Sequence, residues 1–475
     1  MLSKYLVALF ARRLPPGPRG FSSFSPFPRP LSRSLLALCL IFFGTISSVH
    51  AQPQSRLYLS QVSAALAVDC TLYASPSGSA TNSGTSPSSP LSLRAVYQAA
   101  KPGSVVCLLP GTYALTKSFA INRGGTAQAY VTYKSYDVTQ PAVLKWTGAA
   151  GYTMFQVANN AGYVEIRDLI FDGANLANVG IKCSAGSHHV RAIGNTVNKT
   201  GAGGIVSLRC DYVTFVGNKI HLAGYGQGNS MGITLNTHVW FDDAVGFHSF
   251  VVNNIVAGSY DGANDTTREG NGISMDLGGN TPPVLIANNL VYMNGARCIS
   301  TNQSNNHWVI NNTCYANVLD SKVSTVGNYN ILRSSNVRLI NNVAEAWTKG
   351  NTFKQHDSSG IRYYRNTHNG GKGLSGINAT QEQIWGVAPR FNNPIALDPV
   401  ADGQYANAPH PDQIGTRFQL QSDSPLINAG IDPLTVEGVT VAIKAGLEKY
   451  ILTDINGTPR PAGVGWDIGA FEYTP

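Results

Sequence analysis

The chain has 475 residues, 49 of them glycine, and only 13% are charged. That composition suits a turn-rich β protein and argues against a helical one. Its formal charge of +8 does not mark a nucleic-acid binder: six of the 34 basic residues and none of the 26 acidic ones fall in the first 51 positions, leaving 28 against 26, too little bulk charge to hold a phosphate backbone.

Residues 1–51 read as an export signal. Lys4, Arg12, Arg13, Arg19, Arg29 and Arg33 precede an apolar run from Leu35 to Ile46, and Val49-His50-Ala51 supplies a small-residue cleavage pattern. The run is too short for a membrane span, so a secreted protein, extracellular or periplasmic, is expected, with no span once the signal is removed. A linker follows at 52–66. Six cysteines remain beyond the signal: Cys70, Cys107, Cys183, Cys210, Cys298 and Cys314. An even number in an exported chain permits disulfides, with Cys70–Cys107 the preferred pair. Burial as thiols inside the fold is the alternative for the others.

Strand signals begin at Cys70–Ala74, and a Ser/Gly/Pro/Thr loop runs from Ser75 to Pro90. A helix is predicted over Ser92–Ala100, where Leu93, Val96, Tyr97 and Ala100 share one face, Pro90 sits near the start and Pro102-Gly103 ends it. A strand is predicted at Ser104–Leu109. This block is expected to cap the open end of a stack of repeats downstream.

In those repeats one phrase recurs: a short apolar run ending in Asn, then a second apolar run. Its final Asn falls at 195, 218, 254, 289, 312, 342 and 366, in steps of 23, 36, 35, 23, 30 and 24. A near-fixed step with variable insertions means one supersecondary unit stacked many times. A second phrase, Gly-Ile or its equivalent, precedes each Asn phrase: Gly180-Ile181, Gly204-Ile205, Gly232-Ile233, Gly272-Ile273, Cys298-Ile299, Asn330-Ile331 and Thr352-Phe353. A third run follows it, as in Leu290-Val291-Tyr292. Three strands per turn predict an all-β, right-handed parallel β-helix over 67–390. The Asn residues are expected at left-handed bends, bonded to one another from coil to coil.

Side chains alternate along a strand. If the Ile of each Gly-Ile phrase points inward, Thr234, Ser274, Ser300, Leu332 and Lys354 point outward, as do Leu208, Asn236, Asp276, Asn302, Ser334 and His356. Long insertions flank this stripe at 237–248, 258–270 and 317–328, which would make a groove, and long loops on a regular scaffold are often functional. Asp242, Asp243, Asp261, Asp265, Glu269 and Asp276 fall within two adjacent coils. Such an oxygen-rich group suits Ca²⁺.

The opening words Tyr73-Ala74-Ser75-Pro76-Ser77-Gly78, Ala99-Ala100-Lys101-Pro102-Gly103 and Leu109-Pro110-Gly111-Thr112-Tyr113, and the closing words Ser424–Gly430, Asp454-Ile455-Asn456-Gly457 and Asp467–Tyr473, resemble those of secreted β-helix proteins of the pectate-lyase-like superfamily. The resemblance implies a carbohydrate-active protein, in first place a lyase that cleaves an acidic, uronic-acid polysaccharide by Ca²⁺-assisted β-elimination. It implies Asp242, Asp243, Asp265 and Asp276 as metal ligands, and a base among Lys322, Arg297, Lys354 and His356. Asn236, Asn302 and Arg268 are expected to contact substrate. The sequence departs from the lyase pattern in lacking a tight Asp-Asp-x-x-Asp word and a basic residue close behind the acid pair. A polygalacturonase-type hydrolase and a non-catalytic polysaccharide-binding protein are the alternatives. A monomer is expected. Residues 391–475 break the repeat and are expected to form a capping segment, with Asp454, Asp467 and Glu472 holding turns.

Overall fold

A computed structural model of the chain describes residues 69–475, apart from 227, 229, 263–268, 324, 379–382 and 399–400. The signal and linker expected at 1–66, and the candidates Asp265 and Arg268, lie outside the described residues.

Among the described residues the chain winds as a parallel β-solenoid with three walls, two of eleven strands and one of nine. At about 4.8 Å per strand, an eleven-stranded wall runs about 50 Å. The first wall carries the Asn phrases, for example Asp211–Val216, Ser249–Val252 and Val284–Ala287. The second carries the runs that follow them, such as Ile255–Ala257 and Leu290–Tyr292. The third carries the Gly-Ile phrases, including Met231–Asn236, Asn271–Gly279, Ile299–Ser304, Gly327–Leu332 and Asn351–His356. The core of the third wall is a column of stacked side chains in register: Ile205, Ile233, Ile273, Ile299, Tyr329 and Phe353. All are 1% exposed or less.

The Asn column forms as the spacing predicts. Each rung donates its amide to the next: Asn195 to Asn218 at 3.1 Å, Asn218 to Asn254 at 3.0 Å, Asn254 to Asn289 at 3.0 Å, Asn289 to Asn312 at 2.9 Å, Asn312 to Asn342 at 3.0 Å and Asn342 to Asn366 at 2.9 Å. The left-handed bend, however, belongs to the residue before each rung. Asn253, Asn288, Asn311 and Asn341 have φ of 57°, 53°, 52° and 53°, and Gly194 and Gly217 stand at the same place in earlier coils. The paired Asn-Asn words divide two tasks: one residue turns the chain, the other bonds along the stack.

The end block folds as a helix at Leu93–Ala99, capped by Ser92 Oγ, which accepts from the Ala95 N–H at 3.3 Å. Val96 is its buried residue. The six cysteines pair as Cys70–Cys107, Cys183–Cys210 and Cys298–Cys314, so none is the buried thiol weighed as the alternative.

The segment from 391 onward runs back along the outside of the stack. Phe391, Phe418, Leu426 and Phe471 bury Leu290, Tyr292, Tyr315 and Val343 of the second wall. The helix Val441–Ile451 lays Ile443, Leu447 and Ile451 over Leu285, Trp308, Ile310 and Ile340 of the first. Asp454, Asp467 and Glu472 hold this segment together, as expected: Asp454 Oδ1 accepts from the Asn456 and Thr458 N–H groups, both at 2.8 Å, and Asp467 Oδ1 from the Asn428 N–H at 2.7 Å. Glu472 pairs with Arg460 at 2.8 Å, both side chains fully buried. Arg460→Ala would strand the Glu472 carboxylate in the core and is expected to cost about 3–5 kcal/mol. Replacing both partners with apolar residues should cost less, and denaturant titration of the two variants measures the difference.

Candidate functional site

The last segment covers coils of the second and first walls with apolar packing, and no third-wall strand among the described residues belongs to either cluster. The third wall's outward positions form two rows in register. One reads Val206, Thr234, Ser274, Ser300, Asn330 and Lys354; the other reads Leu208, Asn236, Asp276, Asn302, Leu332 and His356. The outward parity expected from the sequence is correct. Its register slips by two residues at Gly327–Leu332, where Tyr329, not Ile331, continues the Ile column, so Leu332 replaces Ser334 in the second row.

Asp276 lies mid-stripe and is 6% exposed. Asn302 of the next coil donates its amide to Asp276 Oδ1 at 2.8 Å, and Asn236 precedes it in the row. Arg297 stands just before the strand Ile299–Ser304 and donates Nη1 to Asn271 Oδ1 at 3.2 Å. Its guanidinium acts electrostatically on both Glu269 and Asp276. Burial, and then the neighbouring Asp276 charge, push the Glu269 carboxyl up to about 7. Burial also raises Asp276, against the pull of Asn302 and Arg297, and burial lowers Arg297. Glu269 Oε2, Arg297 Nε and Asn302 Oδ1 are buried with no partner among the described residues. Buried polar atoms of this kind call for a partner, such as an ordered water, an ion or a ligand group.

Beside this group opens a cavity of about 270 Å³ lined by Arg297, Thr325, Asn330, Arg333, Lys354 and His356, among others. Three of the four expected bases therefore line one pocket. Lys354 Nζ donates to the Thr325 carbonyl at 2.6 Å, and His356 Nδ1 lies 3.1 Å from Asp357 Oδ2. The fourth, Lys322, sits in the turn Ser321–Val323, where its N–H donates to Asp320 Oδ1 at 2.9 Å, and it is not part of the lining. Arg333 is an addition to the expected set; it follows the strand end, where alternation no longer specifies direction. Glu269 stands out in the sequence only as one loop acid among several.

The acid pair Asp242-Asp243 occupies a different setting. The loop 237–248 leads to the first wall, and Asp242 Oδ1 accepts from the Tyr212 hydroxyl at 2.5 Å and the Ala244 N–H at 3.1 Å. These hydrogen bonds, Tyr212 first, hold Asp242 below the usual carboxylate range. Asp243 is exposed. Among the described residues no three His, Cys, Asp or Glu side chains are placed to hold a metal ion. Of the expected metal ligands, Asp276 is mid-strand on the third wall, Asp242 is bonded to Tyr212 beside the first, and Asp265 lies outside the described residues.

No family model matches the chain, and no curated protein does. Among solved structures it is similar to pectate lyase Pel9A, at 16% identity over 87% of this chain and 98% of that one, with a TM-score of 0.47. It is similar also to the A-module of the Azotobacter vinelandii mannuronan C-5 epimerase AlgE6, at 14% identity over 62% and 92%, TM-score 0.34. An alginate lyase from Paenibacillus sp. str. FPU-7 matches at 15% identity over 62% and 94%, TM-score 0.32.

Proposed function

We propose that the protein is a secreted polysaccharide lyase that cleaves an acidic, uronic-acid polymer along its third wall. The observation that carries this reading is Arg297, a partly buried guanidinium that belongs both to the acid group Glu269–Asp276 and to the basic pocket of Arg333, Lys354 and His356. β-Elimination needs these parts together. A cation beside the substrate carboxylate makes the α-proton removable, a base takes that proton, and an acid protonates the leaving oxygen. Arg297 and Arg333 are assigned to the carboxylate and Glu269, neutral up to about pH 7, to the acid. Lys354, whose Nζ reaches back from its own strand to the Thr325 carbonyl, is assigned to the base. His356, three strands or about 14 Å along the wall from Asp276, is assigned to a neighbouring sugar unit. Asn236 and Asn302 extend the row as sugar contacts.

The neutralising charge is assigned to these side chains, since Arg297 acts on the acid group and lines the pocket with Arg333, rather than to Ca²⁺. The test is absorbance of unsaturated product on polygalacturonate, alginate and glycosaminoglycans. Cleavage is expected on at least one of them, and it should survive EDTA. Loss with EDTA and recovery with Ca²⁺ would return the role to the metal. The raised Glu269 and Asp276 carboxyls also suit a hydrolase, which would release reducing ends without unsaturation. Binding with neither product would leave a non-catalytic protein.

A further inference from the structure

The loop 237–248 exposes an apolar surface that a soluble protein would ordinarily hide. Trp240, Phe241 and Val245 are 39%, 48% and 86% exposed. They are also held firmly. The Phe241 N–H donates to Asp211 Oδ2 at 2.9 Å, and Trp240 Nε1 donates to the Asn280 carbonyl at 3.0 Å. Asp211 in turn grips His248 Nδ1 at 2.7 Å, with both side chains 1% exposed. Beneath the loop, Tyr163, His189, Tyr212 and His248 stack ring on ring, one per coil, with centroids 4.5, 4.4 and 4.2 Å apart. His188 supports one face of Phe241 at 4.0 Å.

We propose that this loop is a binding platform for an uncharged sugar ring. The proposal rests on the polysaccharide reading above but not on its chemistry. A sugar ring has an apolar C–H face and a rim of hydroxyls. The platform offers aromatic faces for the first and the exposed carboxylates Asp242 and Asp243, which only accept hydrogen bonds when ionised, for the second. The same carboxylates disfavour a uronate. They also disfavour a protein partner, since the centres of protein interfaces are depleted of charge. Fixing the aromatic rings in advance lowers the ordering cost of binding. The protein then carries two sites of opposite preference: a basic pocket for uronate units and an acidic aromatic platform for neutral ones. A polymer bearing both is the ligand class that uses the whole surface.

The test is affinity electrophoresis of the full chain in gels containing soluble galactan, arabinan, xylan or mannan, beside polygalacturonate. At least one neutral glycan should retard the wild-type protein. The double variant Trp240→Ala/Phe241→Ala should lose at least 10-fold in affinity for it, Phe241→Trp should keep most of it, and Arg297→Ala should leave it unchanged. Far-UV circular dichroism checks that the exposed substitutions leave the fold intact. Absence of retardation by all four neutral glycans, or undiminished retardation of the double variant, would overturn the proposal. So would wild-type self-association that the double variant abolishes, which would make the patch a contact between copies of the chain. Retardation by a neutral glycan with no cleavage of any polyuronate would sink the catalytic reading alone and still support the platform.

Discussion

Arg297→Ala is expected to lower kcat/KM on the cleaved polyuronate by at least about 100-fold, the order seen when one preorganised charge-stabilising donor is removed. No other cation among the described residues acts on Glu269 and Asp276 while lining the basic pocket. Arg297→Lys should recover part of the loss, because the charge returns but the planar fork that matches a carboxylate does not. The pH profile tests whether Glu269 is the acid that Arg297 faces. Glu269 is needed in its protonated form, so wild-type kcat/KM should fall as pH rises through about 7. Arg297 opposes the raised Glu269 value; without it, two acids face each other uncompensated, and the limb should move to higher pH. A guanidinium that only held Asn271 in place would still act on Glu269, but its loss would lower the melting temperature and keep kcat/KM within threefold of wild type. An unmoved limb, or kcat/KM within threefold of wild type, would remove Arg297 from the assigned role.

The architecture was legible because its signals are local and repeated. The separations of 23, 36, 35, 23, 30 and 24 residues between Asn words are the separations bridged by hydrogen bonds in the ladder. Parity along each strand was legible for the same reason. Register failed at Tyr329-Asn330-Ile331, where two inward apolar residues stand two apart and either can continue the column. The path of the last 85 residues was not legible in the same way, although a signal existed. Trp308-Val309-Ile310 is apolar at every position, which means a strand covered on both faces, and the helix Val441–Ile451 supplies the cover. The site was legible in part. Arg297, Lys354 and His356 came together because a stripe in register gathers what the sequence spaces apart. Asp242 and Asp243 did not join Asp276, because an insertion loop follows its own anchors. Those anchors, Asp211, Tyr212 and His248, belong to the first wall, and alternation along a strand does not specify which loop its outward side chains will hold.

The ladder also predicts how firmly the stack is tied. Asn289 is fully buried, and its Oδ1 accepts from the Asn254 N–H at 2.9 Å and the Asn254 amide at 3.0 Å. Its own amide donates to the Val251 carbonyl at 2.8 Å and to Asn312 at 2.9 Å. Asn289→Ala deletes a side chain that four polar groups bond to, and each one left orphaned costs about 1–3 kcal/mol. Partial relaxation brings the expected loss to about 4 kcal/mol, read by denaturant titration. Asn289→Asp gives the sharper test. Its carboxylate keeps the acceptor for Asn254 but turns lone pairs toward the Val251 and Asn312 oxygens, where donors stood. Protonation restores one donor, so burial and these oxygens should raise the folded-state pKa of the new acid well above its unfolded value. Its contribution to stability is then fully present below the unfolded value and is lost as pH rises through the folded one. The aspartate variant should therefore approach wild type in acid and fall away toward neutral pH, while the alanine variant stays equally weakened throughout. A loss under about 1 kcal/mol in the alanine variant, or parallel pH curves for the two, would mean that apolar stacking, not the amide column, holds the coils together.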